Sequence, residues 1–213
     1  MNRDQALSKS IAKQLLEIEA VSLNPRSPFT WTSGLKSPIY CDNRMTMSFP
    51  KVREQIAEGF ATLIRAQYPE AEVVAGTATA GIPHAAWVAQ KLDLPMIYIR
   101  DKAKGHGKQN QIEGRLDSGQ KVVVIEDLIS TGGSSLKAAL AVRDAGGDVL
   151  GTAAIFTYEF EQSVKAFEEA GIPLHTLSCY SDLVELAAEL GKVAKEDLQL
   201  LRSWKDNPTA FGQ

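Results

Sequence analysis

A single stretch limits what this chain can become: Val122-Val123-Val124-Ile125-Glu126-Asp127-Leu128-Ile129-Ser130-Thr131-Gly132-Gly133-Ser134. Its four β-branched apolar residues in succession predict a strand buried on both faces, as in a parallel sheet covered by helices. The run ends on two carboxylates, passes through small polar residues and glycines, and opens a helical pattern of Leu136, Leu140 and Val142. Strand, polar turn and helix N-terminus form a geometry that binds phosphate. Glycines let the backbone approach, free N–H groups point outward, and the helix dipole favours an anion. Ser and Thr add hydroxyl donors.

The acid pair narrows the ligand. A triphosphate loop needs Gly-Lys-Ser/Thr, and this stretch has no Lys. Neighbouring carboxylates are useful where they accept hydrogen bonds from sugar hydroxyls or hold Mg²⁺ while the loop beyond takes a phosphate. A ribose 5-phosphate satisfies both halves; an ordinary strand–helix turn with acidic caps is the alternative. The stretch resembles the phosphoribosyl pyrophosphate signature of type I phosphoribosyltransferases.

Upstream, Leu7, Ile11, Leu15, Leu16 and Ile18 recur at helical spacing over residues 4–20. Pro25, Pro28 and Pro38 exclude helix from the stretch that follows. Apolar and polar residues alternate around Phe29–Thr32 and again around Ile39–Asn43, which predicts a small hairpin turning at or near Ser33-Gly34. It lies outside the strand–helix rhythm and is placed as a hood over the sheet; an ordinary ribbon with structural aromatics is the other reading. Phe29-Thr30-Trp31-Thr32-Ser33-Gly34 and Ser37-Pro38-Ile39-Tyr40 resemble motifs of the orotate phosphoribosyltransferase family, which implies a base-binding hood. The resemblance covers nearly the whole chain.

A second helix is expected over Pro50–Tyr68, with Ser48 as N-cap. Strands Glu72–Ala75, Pro95–Ile99, Lys121–Ile125, Val149–Tyr158 and Leu174–Ser178 then alternate with helices Ile82–Leu92, Leu136–Ala145 and Phe160–Ala170. Helical patterns over Leu183–Leu190 and Lys195–Trp204 follow. This rhythm predicts an α/β fold: a doubly wound, mostly parallel sheet flanked by helices, with a small N-terminal hood. The 213 residues read as one domain, with the hood at roughly 22–48 beside the first helix, the core at 49–213 and a mobile lid at 100–115. Ligands of such sheets sit at the carboxyl ends of the strands. That edge gathers Gly76–Gly81, the Arg100 region and Glu126–Ser134. Gly76-Thr77-Ala78-Thr79-Ala80-Gly81 is a second small-residue turn, and in the resembled family this loop holds the pyrophosphate. His84, just inside the next helix, reads as a packed or capping residue.

Composition excludes other classes. Hydrophobic content of 44% and charged content of 23% are those of a soluble globular protein, and a net charge of −3 argues against a general nucleic-acid binder. No apolar run reaches membrane length, and Met1–Ser10 does not read as a signal peptide. Cys41 and Cys179 cannot make a disulfide framework, and no Cys/His cluster has zinc spacing. The expectation is a cytoplasmic protein with small-molecule ligands and neither nucleic acid nor membrane as partner.

Residues 100–115 carry almost no apolar side chains. The segment is either a solvated loop or a lid. Lys104 and His106 sit among glycines, a mobile cationic arm suited to closing over a diphosphate leaving group. In the resembled family this loop reaches across a homodimer interface into the neighbour's site.

The resemblance implies transfer of a 5-phosphoribosyl group from phosphoribosyl pyrophosphate to orotate, a step of UMP biosynthesis, with Mg²⁺ as cofactor held mainly through the substrate. It implies catalytic roles for Lys104, His106, Glu126 and Asp127. Phosphoribosyl pyrophosphate would meet Arg100, Lys104, His106, Glu126, Asp127, Leu128, Ile129, Ser130, Thr131, Gly132, Gly133 and Ser134. Orotate would meet Ser130, Tyr40 and Arg44. Three positions depart from the pattern. Some members carry Lys where this chain has Thr32, Tyr-Lys where it has Thr79-Ala80, and Arg-Lys where it has Arg100-Asp101. Lys36, Arg44 and Lys102 are candidate substitutes. A transferase for another base, and a non-catalytic sensor of phosphoribosyl pyrophosphate, are the competing readings.

Overall fold

The computed structural model describes residues 4–31, 34–101 and 111–211. Asp4 opens the first helix: its carboxylate accepts from the N–H of Ala6 and Leu7 at 2.9 and 3.1 Å. Helix α1 (Gln5–Glu17) buries Ile11, Ala12, Leu15 and Leu16. The hood follows as strands β1 (Val21–Leu23), β2 (Phe29–Thr30), β3 (Lys36–Ser37) and β4 (Ile39–Cys41), then a 3-10 turn over Asn43–Ser48.

The hood's pairing corrects the expected hairpin. β2 pairs with β3, Phe29 opposite Ser37, around a turn in which Gly34 has φ +84°. β4 instead pairs antiparallel with β1, Val21 opposite Cys41 and Leu23 opposite Ile39. Pro38 has no N–H to continue a ladder, so the strand breaks there. Ile39 is fully buried and its register is set by the core, not by the turn.

Helix α2 (Pro50–Gln67) has Pro50 in its first turn and Phe49 as N-cap, with no side-chain cap. Ser48 is therefore not the cap. A residue before proline is driven to extended geometry, and Phe49 adopts φ −113°, ψ 94°. The sheet strands and their helices follow: β5 (Val73–Thr77), α3 (Gly81–Leu92), β6 (Met96–Ile99), β7 (Ile112–Glu113), β8 (Lys121–Ile129), α4 (Gly133–Asp144), β9 (Asp148–Thr157), α5 (Glu161–Glu169), β10 (Leu174–Cys179), α6 (Tyr180–Glu189) and α7 (Leu198–Asp206).

Six strands make one sheet in the order β10-β9-β8-β5-β6-β7. Neighbours are parallel except β7, which runs antiparallel to β6. β7 lies inside the segment expected as lid. Ile112 is buried opposite Ile99, and Arg100 N–H donates to the Gln111 carbonyl at 2.8 Å. Residues 111–113 are thus tied to the sheet and do not belong to a mobile lid as the expected 100–115 bounds had it; residues 102–110 lie outside the described residues.

Val123 and Ile125 of β8 face a core built with α1, α2, α3, α6 and α7, whereas Val122 and Val124 face a second one closed by α4 and α5. Burial on both faces is what the unbroken apolar run demands. From β5 the chain steps outward to β6, and from β8 it steps the opposite way to β9. The order reverses between β5 and β8, so a crevice opens at their carboxyl ends. No described helix is long and apolar enough to cross a membrane.

Candidate active site

The crevice is an open cleft of about 410 Å³. The hood supplies Cys41, Asp42 and Arg44, the β5–α3 loop Ala78, Thr79 and Ala80, and the end of β8 Glu126, Asp127 and Leu128, with Ser134 beyond. Three segments far apart in sequence meet because the sheet reverses direction here.

Glu126 is buried, and the Asp127 N–H donates to its carboxylate at 3.0 Å. Burial pushes its pKa well up from the carboxylate range; a side-chain hydrogen bond to the Asp127 carboxyl and that residue's charge push the same way, while the Asp127 N–H and a contact with Thr77 pull against them. Asp127 is half-buried beside the cleft. The pair thus offers one carboxyl that holds a proton tightly and one at the cleft surface.

The turn behind it is shaped for an anion. Gly132 caps α4 with φ +80°, and no side chain occupies the helix N-terminus. A Cβ at Gly132 would lie 3.2 Å from Phe167 and Ser163. Thr131, Gly133 and Ser134 are exposed beside the positive end of the helix dipole, where the first N–H groups of a helix have no intrahelical partner. Ser130 is half-buried. Leu128 lines the cleft, whereas the Ile129 side chain is fully buried in the second core and offers only its backbone.

The β5–α3 turn is narrow for steric reasons. A Cβ on Gly81 would collide with Thr77 Oγ1 and the Ile125 carbonyl, and one on Gly76 would lie 2.9 Å from Ala85. Those two glycines serve helix–strand packing. His84 is buried against Trp87, with ring centroids 5.3 Å apart, and burial pushes its pKa down to about 4. It is a packed residue, as its sequence context indicates.

Arg44 lines the cleft with its guanidinium largely exposed. Its Nε and Nη2 donate to the Asp42 carboxylate at 2.6 and 2.9 Å. Asp42 occupies one edge of the fork, and the edge carrying Nη1 is left for a second planar anion. Tyr40 is exposed and its ring is tilted against Phe29, centroids 5.9 Å apart; it is not among the residues lining the cleft but lies close enough to influence the charge of Arg44, which is. Arg100 stands at the end of β6 and pairs with Glu113 at 3.4 Å. Lys102, Lys104, His106 and Thr32 lie outside the described residues. Lys36 Nζ donates to Thr30 Oγ1 at 2.7 Å within the hood ribbon.

Sequence reasoning missed Cys41, Asp42 and Asn43. The last donates from Nδ2 to the Asp127 carbonyl at 2.7 Å. An Asp-Asn pair ending a strand reads as turn punctuation, and its partner lies 84 residues away.

A phosphoribosyl transferase domain family matches residues 50–170 of the chain. An orotate phosphoribosyltransferase of Halalkalibacterium halodurans is 57% identical over 204 residues, covering 96% of this chain and 97% of the relative. The chain belongs to the orotate phosphoribosyltransferase family. The orotate phosphoribosyltransferase of Enterococcus faecalis V583 is 60% identical over 207 residues, covering 97% and 99% of the two chains. Among solved structures, the orotate phosphoribosyltransferase of Aeropyrum pernix superposes with a TM-score of 0.74 at 27% identity, over 86% of this chain and 99% of that one. Leishmania donovani UMP synthase superposes at 0.77 with 26% identity, over 93% of this chain and 42% of that longer protein. The family's fold, a mostly parallel sheet with helices on both faces, is the one described above.

Proposed function

We propose that this family member transfers the 5-phosphoribosyl group from phosphoribosyl pyrophosphate to orotate, giving orotidine 5′-phosphate and pyrophosphate. One observation carries the assignment of roles: an acid pair and an uncapped helix N-terminus open into the same cleft, under a hood that presents a guanidinium.

The difficulty of the reaction is departure of diphosphate from the anomeric carbon. Positive charge develops on the ribose while negative charge grows on the leaving group. Asp127 and Glu126 accept hydrogen bonds from the ribose hydroxyls and fix the ring. Ser130, Thr131, Gly132, Gly133 and Ser134 bind the 5′-phosphate at the start of α4. Leu128 packs beside the ring, and Ile129 contributes through its backbone. The β5–α3 turn and Arg100 face the diphosphate. Lys104 and His106 close over it from the 100–115 loop, excluding water and so hydrolysis. The free edge of Arg44 reads the orotate carboxylate, with Tyr40 and Ser130 flanking the base.

Mg²⁺ fits this donor set. The Asp127 carboxylate at the cleft surface, beside a phosphate cradle, matches its habit of binding through one or two carboxylates plus substrate phosphates. Among the described residues there is no cluster of three or more His, Cys, Asp or Glu, and in this reading the ion is held chiefly through the substrate. When bound, Mg²⁺ supplies electrostatic stabilisation of the diphosphate. The working unit in this reading is a cytoplasmic homodimer in which each loop 100–115 serves the partner's cleft.

The test follows loss of orotate absorbance with phosphoribosyl pyrophosphate and Mg²⁺, beside adenine, hypoxanthine and uracil. Turnover of orotate alone is the expected result. Turnover of another base would overturn the role given to Arg44 and the hood, and binding without turnover would leave a sensor.

A further inference from the structure

The hood rests on the end of β8 through one buried amide. β5 pairs with β8 only as far as Gly76 beside Ile125. The Ile125 carbonyl points to that edge, where Thr77 Oγ1 donates to it at 3.2 Å. Peptide direction repeats every second residue along a strand. The Asp127 carbonyl therefore points to the same side, past the place where pairing with β5 has ended. Asn43 stands there instead: its Nδ2 donates to the Asp127 carbonyl at 2.7 Å, and the residue is 1% exposed.

Asn43 is held in turn. Thr46 Oγ1 donates to the Asn43 carbonyl at 2.6 Å and lies 3.4 Å from His84 Nε2. The Thr46 hydroxyl has one hydrogen and uses it on Asn43, so His84 meets it as an Nε2–H donor. Thr46 and His84 are both buried. His84 belongs to α3, the helix that leaves the β5–α3 turn. A buried polar chain, His84–Thr46–Asn43–Asp127, thus joins the hood to both loops of the cleft.

We propose that Asn43 is a positioning residue for phosphoribosyl transfer: it clamps the Asp127 peptide and so sets the carboxylate where the ribose needs it. The inference rests on the assignment of Asp127 to the ribose. Asn43 itself is buried beneath the cleft and is not among its lining residues. Without the amide, a strand end with no neighbour on this edge loses its lateral support. A misplacement of about 1 Å at a reacting group costs about a hundredfold in rate.

The experiment is a double-mutant cycle. kcat/KM for phosphoribosyl pyrophosphate is measured for Asn43→Ala in the parent enzyme and in Asp127→Asn, with thermal melts alongside. In the parent, Asn43→Ala is expected to lower kcat/KM by about tenfold or more. On top of Asp127→Asn the further loss is expected to stay below about threefold, because the group it places has already lost its charge. Equal factors in both backgrounds would overturn the inference and leave Asp127 in its role. No loss in Asp127→Asn alone would overturn the role of Asp127 and the inference with it. Should Asn43→Ala not fold, Asn43→Asp, of the same shape but without the amide donor, carries the same comparison.

Discussion

Glu126 and Asp127 are adjacent in sequence and opposite in circumstance. Both line the cleft, but Glu126 is buried whereas Asp127 is only half-buried. A carboxyl whose pKa rises on folding binds its proton more tightly in the native state than in the unfolded chain. Stability then falls as pH rises above the ordinary value of 4.5. Glu126→Gln removes that penalty. It is expected to raise the melting temperature relative to the parent at pH 8 and to change it little at pH 4. A uniform shift at both pH values would deny the burial argument. The same change should lower activity, since strain of this kind is kept where a site needs it. Asp127→Asn is expected to lower kcat by about a hundredfold or more while shifting stability by under about 1 kcal/mol, as removal of an electrostatic contact made in the transition state does. Lys104→Ala should show the same split between kcat, from steady-state assays, and stability, from urea titration. The place of Asp127 at the cleft was legible because a buried strand that stops on acids before a glycine-rich turn ends at the carboxyl edge of the sheet. Asn43 was not, because nothing local marks a side chain that answers a carbonyl 84 residues away.

At the level of the elements, helix α4 and its cap carry the phosphate argument. Gly132 holds φ +80°, and its Cβ position is blocked by Phe167 and Ser163 of α5. Gly132→Ala therefore combines backbone strain with overpacking. A loss of about 1–3 kcal/mol in urea denaturation is expected, together with a raised KM for phosphoribosyl pyrophosphate. An unchanged KM would separate the turn from phosphate binding. The strands and helices of the core were readable from periodicity because each buries a continuous face. The hood was readable only in part. β2–β3 has a local turn, so its existence follows from Ser33-Gly34. The β1–β4 pair depends on which residue near Pro38 enters the core, and burial of Ile39 settles that. β7 escaped notice because a two-residue strand in a polar segment has no period to detect.

The whole molecule sets the pH response. His84 on α3 is buried against Thr46 beside the hood, and burial lowers its pKa to about 4. The unfolded chain binds a proton there near pH 6.5 and the native state does not, so stability rises with pH across this window and is lost as pH falls through it. A fall of up to about 3 kcal/mol between pH 7 and pH 4 is expected from this group. His84→Gln should flatten that part of a stability–pH curve, and an unaltered curve would place the proton elsewhere. The chain itself declared a doubly wound sheet, a glycine-rich turn behind paired acids at the mouth of a helix and a hood of motif-bearing residues, because periodicity and turn chemistry are local properties. Assembly decided the rest. The reversal of strand order between β5 and β8 makes the crevice, the core chooses the hood's register, and the cleft unites Asp42, Arg44, Thr79 and Asp127. Those are contacts between distant segments, fixed by packing and by hydrogen bonds that a strand end must find outside its own neighbourhood.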